Sequence, residues 1–163
     1  MRIAVVPGSF DPITKGHMDI IKRAQTLFDK VIVLVVVNTD KRPAFTPQER
    51  VCMIEKVTKG WDNVAVDCFD GLLVEYVEKV GACAIVKGLR AVSDFEYEFQ
   101  MALYNKKLYE PAETVFLTTS TENLYLSSSG VKQIAAFGRD ISDFVPKEIC
   151  KEIYDRLCCK KGE

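Results

Sequence analysis

The sequence predicts an α/β fold: a doubly wound parallel sheet of five strands in the order 3-2-1-4-5, with helices on both faces. Three observations carry that prediction. Short Val- and Ile-rich runs recur at IAVV (3–6), VIVLVVV (31–37), VAV (64–66), AIV (84–86) and TVFL (114–117). They are apolar without alternation, as strands buried on both faces are. Stretches of helical period separate them, at 17–28, 47–59, 71–80 and 93–109, with two more at 128–137 and 147–158. Strand and helix alternate throughout, and right-handed βαβ crossovers turn that alternation into a parallel sheet covered on both sides. The architecture is Rossmann-like.

Each element has a local cause. The first strand stops at Pro7 and Gly8, which punctuate a turn. In the first helix His17, Ile20, Ile21, Ala24, Leu27 and Phe28 share one face, and that face is expected to be buried. The second helix is signposted by Thr46 at the N-cap, Pro47 at the first helical position and Glu49 at the third, a capping box with proline at its preferred place. The fourth opens on the acidic turn SDFEYE (93–98), which complements a helix dipole. Ser127, Ser128 and Ser129 precede GVKQIAAF, so one of them is expected to cap the fifth helix.

At 163 residues, with no repeat, linker or low-complexity tract, the chain is expected to form one domain over 1–163. Twenty-two basic and 23 acidic residues leave a net charge of −1, so no global field recruits nucleic acid and anion binding must be local. No apolar run suggests a signal peptide or a membrane span, which points to a cytoplasmic protein. Cys52, Cys68, Cys83, Cys150, Cys158 and Cys159 lack the paired spacing of zinc or redox motifs and read as free thiols.

In a sheet of this order ligands bind where the carboxyl ends of strands one and four diverge. Two loops should therefore face each other, PGSFDPITKGH (7–17) and KGLRAVSDFEYE (87–98). Gly8 and Ser9 could present backbone amides to a phosphate, and are read equally well as part of a turn. His17, the sole histidine, would by periodicity alone be a core residue; its place in the first helical turn beside the switch point makes it a donor to an anion instead. Lys87 and Arg90 flank Gly88 and suit a polyphosphate. A hydroxyl-rich loop, TTSTENLYLSSSG (118–130), could hold a further phosphate at the next helix N-terminus. Neither a G-x-G-x-x-G nor a P-loop motif is present.

With PGSFDPITKGH, NTDKRPAFTPQER, KGLRAVSDFEYEFQMA and SSSGVK in this order, the chain resembles the phosphopantetheine adenylyltransferases of the nucleotidyltransferase superfamily from Ile3 to about Phe144. The Thr14-x-Gly16-His17 element names only the superfamily; the KGLR-to-EYE block is more specific. The resemblance implies transfer of the adenylyl group of ATP, with Mg2+, to 4'-phosphopantetheine, giving dephospho-coenzyme A and pyrophosphate. It implies that His17 stabilises the transition state, with Lys41 and Arg90 also catalytic, and that Ser9, Lys41, Leu73 and Lys87 bind phosphopantetheine. ATP would meet Ser9, Phe10, His17, Gly88, Leu89, Arg90, Glu98, Asn123, Leu124, Tyr125, Leu126, Ser127, Ser128 and Ser129. It further implies a homo-oligomer, a hexamer. Ser9 stands where threonine is common and keeps the hydroxyl, Lys87 replaces arginine and loses its bidentate fork, and Asn123 replaces a tryptophan. The rivals are a nucleotidyltransferase acting on nicotinate mononucleotide or glycerol 3-phosphate, and a non-catalytic nucleotide-binding module.

Overall fold

The apolar runs form one parallel sheet of β1 (Ile3–Gly8), β2 (Lys30–Val36), β3 (Val64–Phe69), β4 (Ala84–Leu89) and β5 (Glu113–Thr118), in the order β3-β2-β1-β4-β5. The structure, a computed structural model, describes residues 1–37 and 42–158, save the side chain of Ser93; Lys41 and Cys159 lie outside the described residues. Helices α1 (Lys15–Leu27), α2 (Pro47–Val57), α3 (Leu73–Val80), α4 (Val92–Leu108), α5 (Ser128–Ala136) and α6 (Lys147–Leu157) complete it, with a 3₁₀ turn at Thr121–Asn123.

Because alternate strand residues point to opposite faces, the sheet divides the core in two. Ala4, Val6, Val31, Val33 and Val35 pack against Ile20, Ile21 and Ala24 of α1, Met53 and Ile54 of α2, and residues of α5 and α6. Val5, Ile32, Leu34 and Ile85 face the other way, onto Tyr76 and Val77 of α3. The order matches the expectation, and every strand begins or ends beyond its apolar run, since backbone pairing does not stop where side-chain hydrophobicity does.

Strand register creates the crevice. β1 pairs with β2 along its whole length, from Ile3↔Lys30 to Gly8↔Val35, but with β4 only at Ala4↔Ala84 and Val5↔Ile85. Past that point the carboxyl ends of β1 and β4 part, and α1 enters beside the gap: a Cβ on Gly88 would lie 2.8 Å from the Ile20 side chain. The face expected to be buried along α1 is buried at Ile20, Ile21 and Ala24, whereas Leu27 is exposed at the last turn and His17 and Phe28 are partly exposed. Leu27 lies at the edge of the stripe while Phe28 still packs against the core, and the first turn of the helix borders the crevice.

Candidate active site

The loop after β1 is bent at Phe10, a non-glycine residue with φ of 47°, a conformation rare for a bulky side chain. Its buried ring meets the His17 ring edge-on, with centroids 5.1 Å apart. Thr14 then caps α1 in an unusual capping box. Its Oγ1 accepts from the His17 amide at 3.4 Å, and its own amide donates to His17 Nδ1 at 3.0 Å. A ring nitrogen that accepts carries no proton, so the neutral imidazole holds its hydrogen on Nε2.

Burial, then the cations of Arg90 and Lys87, push the His17 pKa down to about 4. At neutral pH the side chain is therefore an uncharged N–H donor beside two cations. Those cations come from the end of β4. Arg90 is exposed and donates to Asp94 at 3.2 Å and to the Leu126 carbonyl at 2.9 Å, which ties the β4 loop to the loop ahead of α5. Lys87 pairs with Glu98 of α4 at 3.1 Å.

Lys87 and Glu98 also line a groove of about 370 Å³ with Leu73, Val74, Met101 and Asn105, an apolar channel with a charged pair along it. Glu98, expected among the ATP residues, thus keeps company with Leu73 and Lys87. Gly88 and Leu89 end β4 beside Arg90.

The hydroxyl-rich loop serves the fold first. Ser127 caps α5 by accepting from the Gly130 amide at 3.0 Å, as one of the three serines was expected to do, and Ser128 donates to the Pro12 carbonyl at 2.7 Å. Ser129 stands exposed in the first turn of α5. Asn123 donates to Ser120 Oγ at 2.7 Å, while its Cβ faces Gly16, so its amide is turned into its own loop. The exposed aromatic of this loop is Tyr125, which leans edge-on against Phe144, and Leu124 is exposed beside it. Ser9 is exposed at the mouth of the crevice.

Sequence pattern did not single out Asp11, Arg50 or Lys132. Asp11 and Arg50 are buried, and Lys132 of α5 donates to Asp11 at 2.8 Å. Burial raises the Asp11 pKa, but Lys132 and the amides of Ala44 and Phe45 outweigh it and hold the carboxyl below its ordinary value. An acidic residue inside a glycine- and proline-rich loop looks like turn chemistry until its partners, 33 or more positions away, are known.

Residues 5–134 match the family model described as cytidylyltransferase-like. The chain is 60% identical over 157 residues to a phosphopantetheine adenylyltransferase of Caldanaerobacter subterraneus subsp. tengcongensis, covering 96% of this chain and 98% of that one. It is 53% identical over 163 residues to the protein of the same name from Clostridium perfringens, covering 100% and 99%, and 56% identical over 156 residues to that of Heliobacterium modesticaldum, covering 96% and 93%. Among solved structures, a protein assigned as a nicotinate-nucleotide adenylyltransferase from Vibrio parahaemolyticus superposes with a TM-score of 0.69 at 18% identity, covering 94% of this chain and 99% of that one. At that identity the likeness speaks for the fold.

Proposed function

The chain belongs to the phosphopantetheine adenylyltransferase family of nucleotidyltransferases, and we propose on that premise that it transfers the adenylyl group of ATP to 4'-phosphopantetheine, releasing pyrophosphate and making dephospho-coenzyme A. The observation that carries the chemistry is the His17 N–H donor in the first turn of α1, where β1 and β4 part, with Arg90 and Lys87 at the end of β4 near enough for their charges to disfavour its imidazolium. An oxygen of the acceptor phosphate attacks the α-phosphorus of ATP, the bond to the bridging oxygen breaks, and pyrophosphate leaves with the electron pair. The attacking oxygen is already ionised, so no base is needed. Catalysis is positioning together with charge neutralisation.

In this assignment His17 Nε2–H donates to the α-phosphate as charge builds in the transition state, and the Phe10 amide and Ser9 hold phosphate oxygens. Arg90, Gly88, Leu89 and residues 123–129 take the nucleotide. Leu73 and Lys87 take phosphopantetheine, whose flexible amide-bearing arm suits an apolar groove, with Glu98 at the boundary of the two. Lys41 is assigned to the acceptor phosphate on the resemblance alone. Magnesium would come as part of the substrate, bound to ATP, as the resemblance implies; among the described residues no group of three His, Cys, Asp or Glu side chains is placed to hold a metal. The ion would neutralise charge on the leaving pyrophosphate.

We assign the protein to the cytoplasm on the family it belongs to; among the described residues no helix is long and apolar enough to cross a membrane. A homo-oligomer, a hexamer as in the resemblance, is supported by the apolar surface of α4. The reaction is tested by pyrophosphate release from ATP and magnesium with phosphopantetheine, nicotinate mononucleotide and glycerol 3-phosphate in turn. Release is expected with the first only. Preference for either of the others would reassign the substrate, and release with none would leave a nucleotide-binding module.

A further inference from the structure

Arg50 and Asp11 are charged side chains with almost no exposure, 3% and 6%, and neither contacts substrate in the assignment above. They lie on the two segments that meet below the crevice, and each binds the backbone of the other. Arg50, one turn into α2, donates from Nη1 to the Ser9 carbonyl at 2.8 Å and from Nε to the Thr46 carbonyl at 3.4 Å. Asp11, from the loop after β1, accepts from the amides of Ala44 at 3.0 Å and Phe45 at 2.9 Å. Lys132 of α5 completes the carboxylate's shell at 2.8 Å.

Such a network is weak evidence for stability, because desolvating charges offsets much of their attraction and apolar packing would serve a core as well. What it does supply is direction. In a trans peptide the carbonyl and the following N–H point opposite ways. With the Ser9 carbonyl drawn toward Arg50, the Phe10 N–H is turned away from α2. Phe10 meanwhile sits at φ of 47°, a strained backbone state for a non-glycine residue that persists only when neighbours over-determine it. Arg50 before it and Asp11 after it are those neighbours.

We propose that Arg50 and Asp11 are positioning residues for the transfer reaction, a reciprocal brace that aims the Phe10 amide at the phosphate and locks the loop after β1 to the start of α2. The inference rests on the adenylyl-transfer reading. It differs from that reading in assigning function to two residues that touch neither substrate.

The test compares Arg50→Lys, Arg50→Met and Asp11→Asn with Ile153→Ala, a core variant in α6 that lowers stability at a distance from the crevice. Kcat, KM for each substrate and Tm are measured on all four and on the wild type. Misdirecting one donor is expected to lower kcat about tenfold to 100-fold in Asp11→Asn and Arg50→Met, with smaller changes in KM for ATP. Arg50→Lys, which keeps one charged donor, should recover part of the loss. Ile153→Ala should lose Tm with kcat close to wild type. Kcat within about twofold of wild type in the brace variants, or an equal loss in Ile153→Ala, would overturn the proposal, since uniform losses report stability rather than transition-state contacts. A wild type that releases no pyrophosphate overturns the adenylyl-transfer reading itself, which separates that failure from a failure of the brace.

Discussion

His17 owes its chemistry to a hydrogen bond on the side facing away from the crevice. Because Thr14 donates to Nδ1, the proton resides on Nε2, and because burial and two cations disfavour the imidazolium, the ring acts as a neutral donor. A donor aimed at charge that appears only in the transition state changes rate more than affinity. Replacing His17 with alanine is therefore expected to lower kcat about 10²- to 10³-fold while ATP affinity, read by calorimetry, stays close to wild type. Stability should respond to pH through the same residue. The unfolded imidazole takes up its proton near 6.5 and the folded one near 4, so the unfolded state binds more protons between those values. Stability is complete above pH 6.5 and declines as pH falls toward 4. Urea midpoints at pH 7 and pH 5 should differ less in His17→Gln than in the wild type; an unchanged difference would mean that the histidine is not the group responsible. Only part of this was legible in the residues. Helical period located His17 in the first turn, but a capping box whose third position is histidine rather than Glu or Gln escapes pattern reading, and the depressed pKa comes first from tertiary burial and then from Arg90 and Lys87, 73 and 70 positions away.

At the scale of elements, legibility followed how local the cause was. Thr46, Pro47 and Glu49 announce α2 within four residues, and the structure has that box intact, with the Glu49 amide donating to Thr46 Oγ1 at 3.2 Å and the Thr46 amide to Glu49 at 2.8 Å. The third helix starts at Leu73 rather than 71 because Gly71, at φ of 154°, takes a backbone state outside the helical region. The first starts at Lys15, two residues before the expected 17, because Thr14 supplies the cap. The 3₁₀ turn at Thr121–Asn123 gave no periodic signal, being shorter than one period of an α-helix. Contact between α1 and β4 is likewise tertiary, and it makes Gly88 a packing residue as well as a loop residue. Alanine there would place its Cβ 2.8 Å from Ile20 Cγ1, closer than atoms approach. We expect Gly88→Ala to lose about 1–3 kcal/mol in denaturant unfolding. The double variant Gly88→Ala with Ile20→Ala should be more stable than the sum of the two single losses implies. Strict additivity would show that β4 shifts instead of Ile20.

At the scale of the whole molecule, the described residues include a contiguous exposed apolar surface on α4. Helix α4 is apolar on more than one side. Tyr97, Met101, Tyr104 and Leu108 run along the groove, and Val92, Phe95, Phe99 and Leu103 form a second stripe at helical spacing that faces away from it. Val92 is 81% exposed, Phe99 47% and Leu103 55%, although Phe95 reaches Phe116 on the edge strand β5. Contiguous exposed apolar surface of this kind marks a protein contact. The exposed aromatic and aliphatic stripe beside an edge strand suits a second copy of the chain, in keeping with the expected homo-oligomer. Analytical ultracentrifugation should then give a mass several times the 18.4 kDa of one chain. Introducing Phe99→Glu and Leu103→Glu together adds two charges per chain to the apolar stripe, and should shift the distribution to smaller species. Because Phe99 and Leu103 do not line the groove, residual activity in those smaller species would show whether one chain completes the site by itself. A wild type that sediments as a single 18.4 kDa chain at micromolar concentration would refute the oligomer and leave the stripe to another partner.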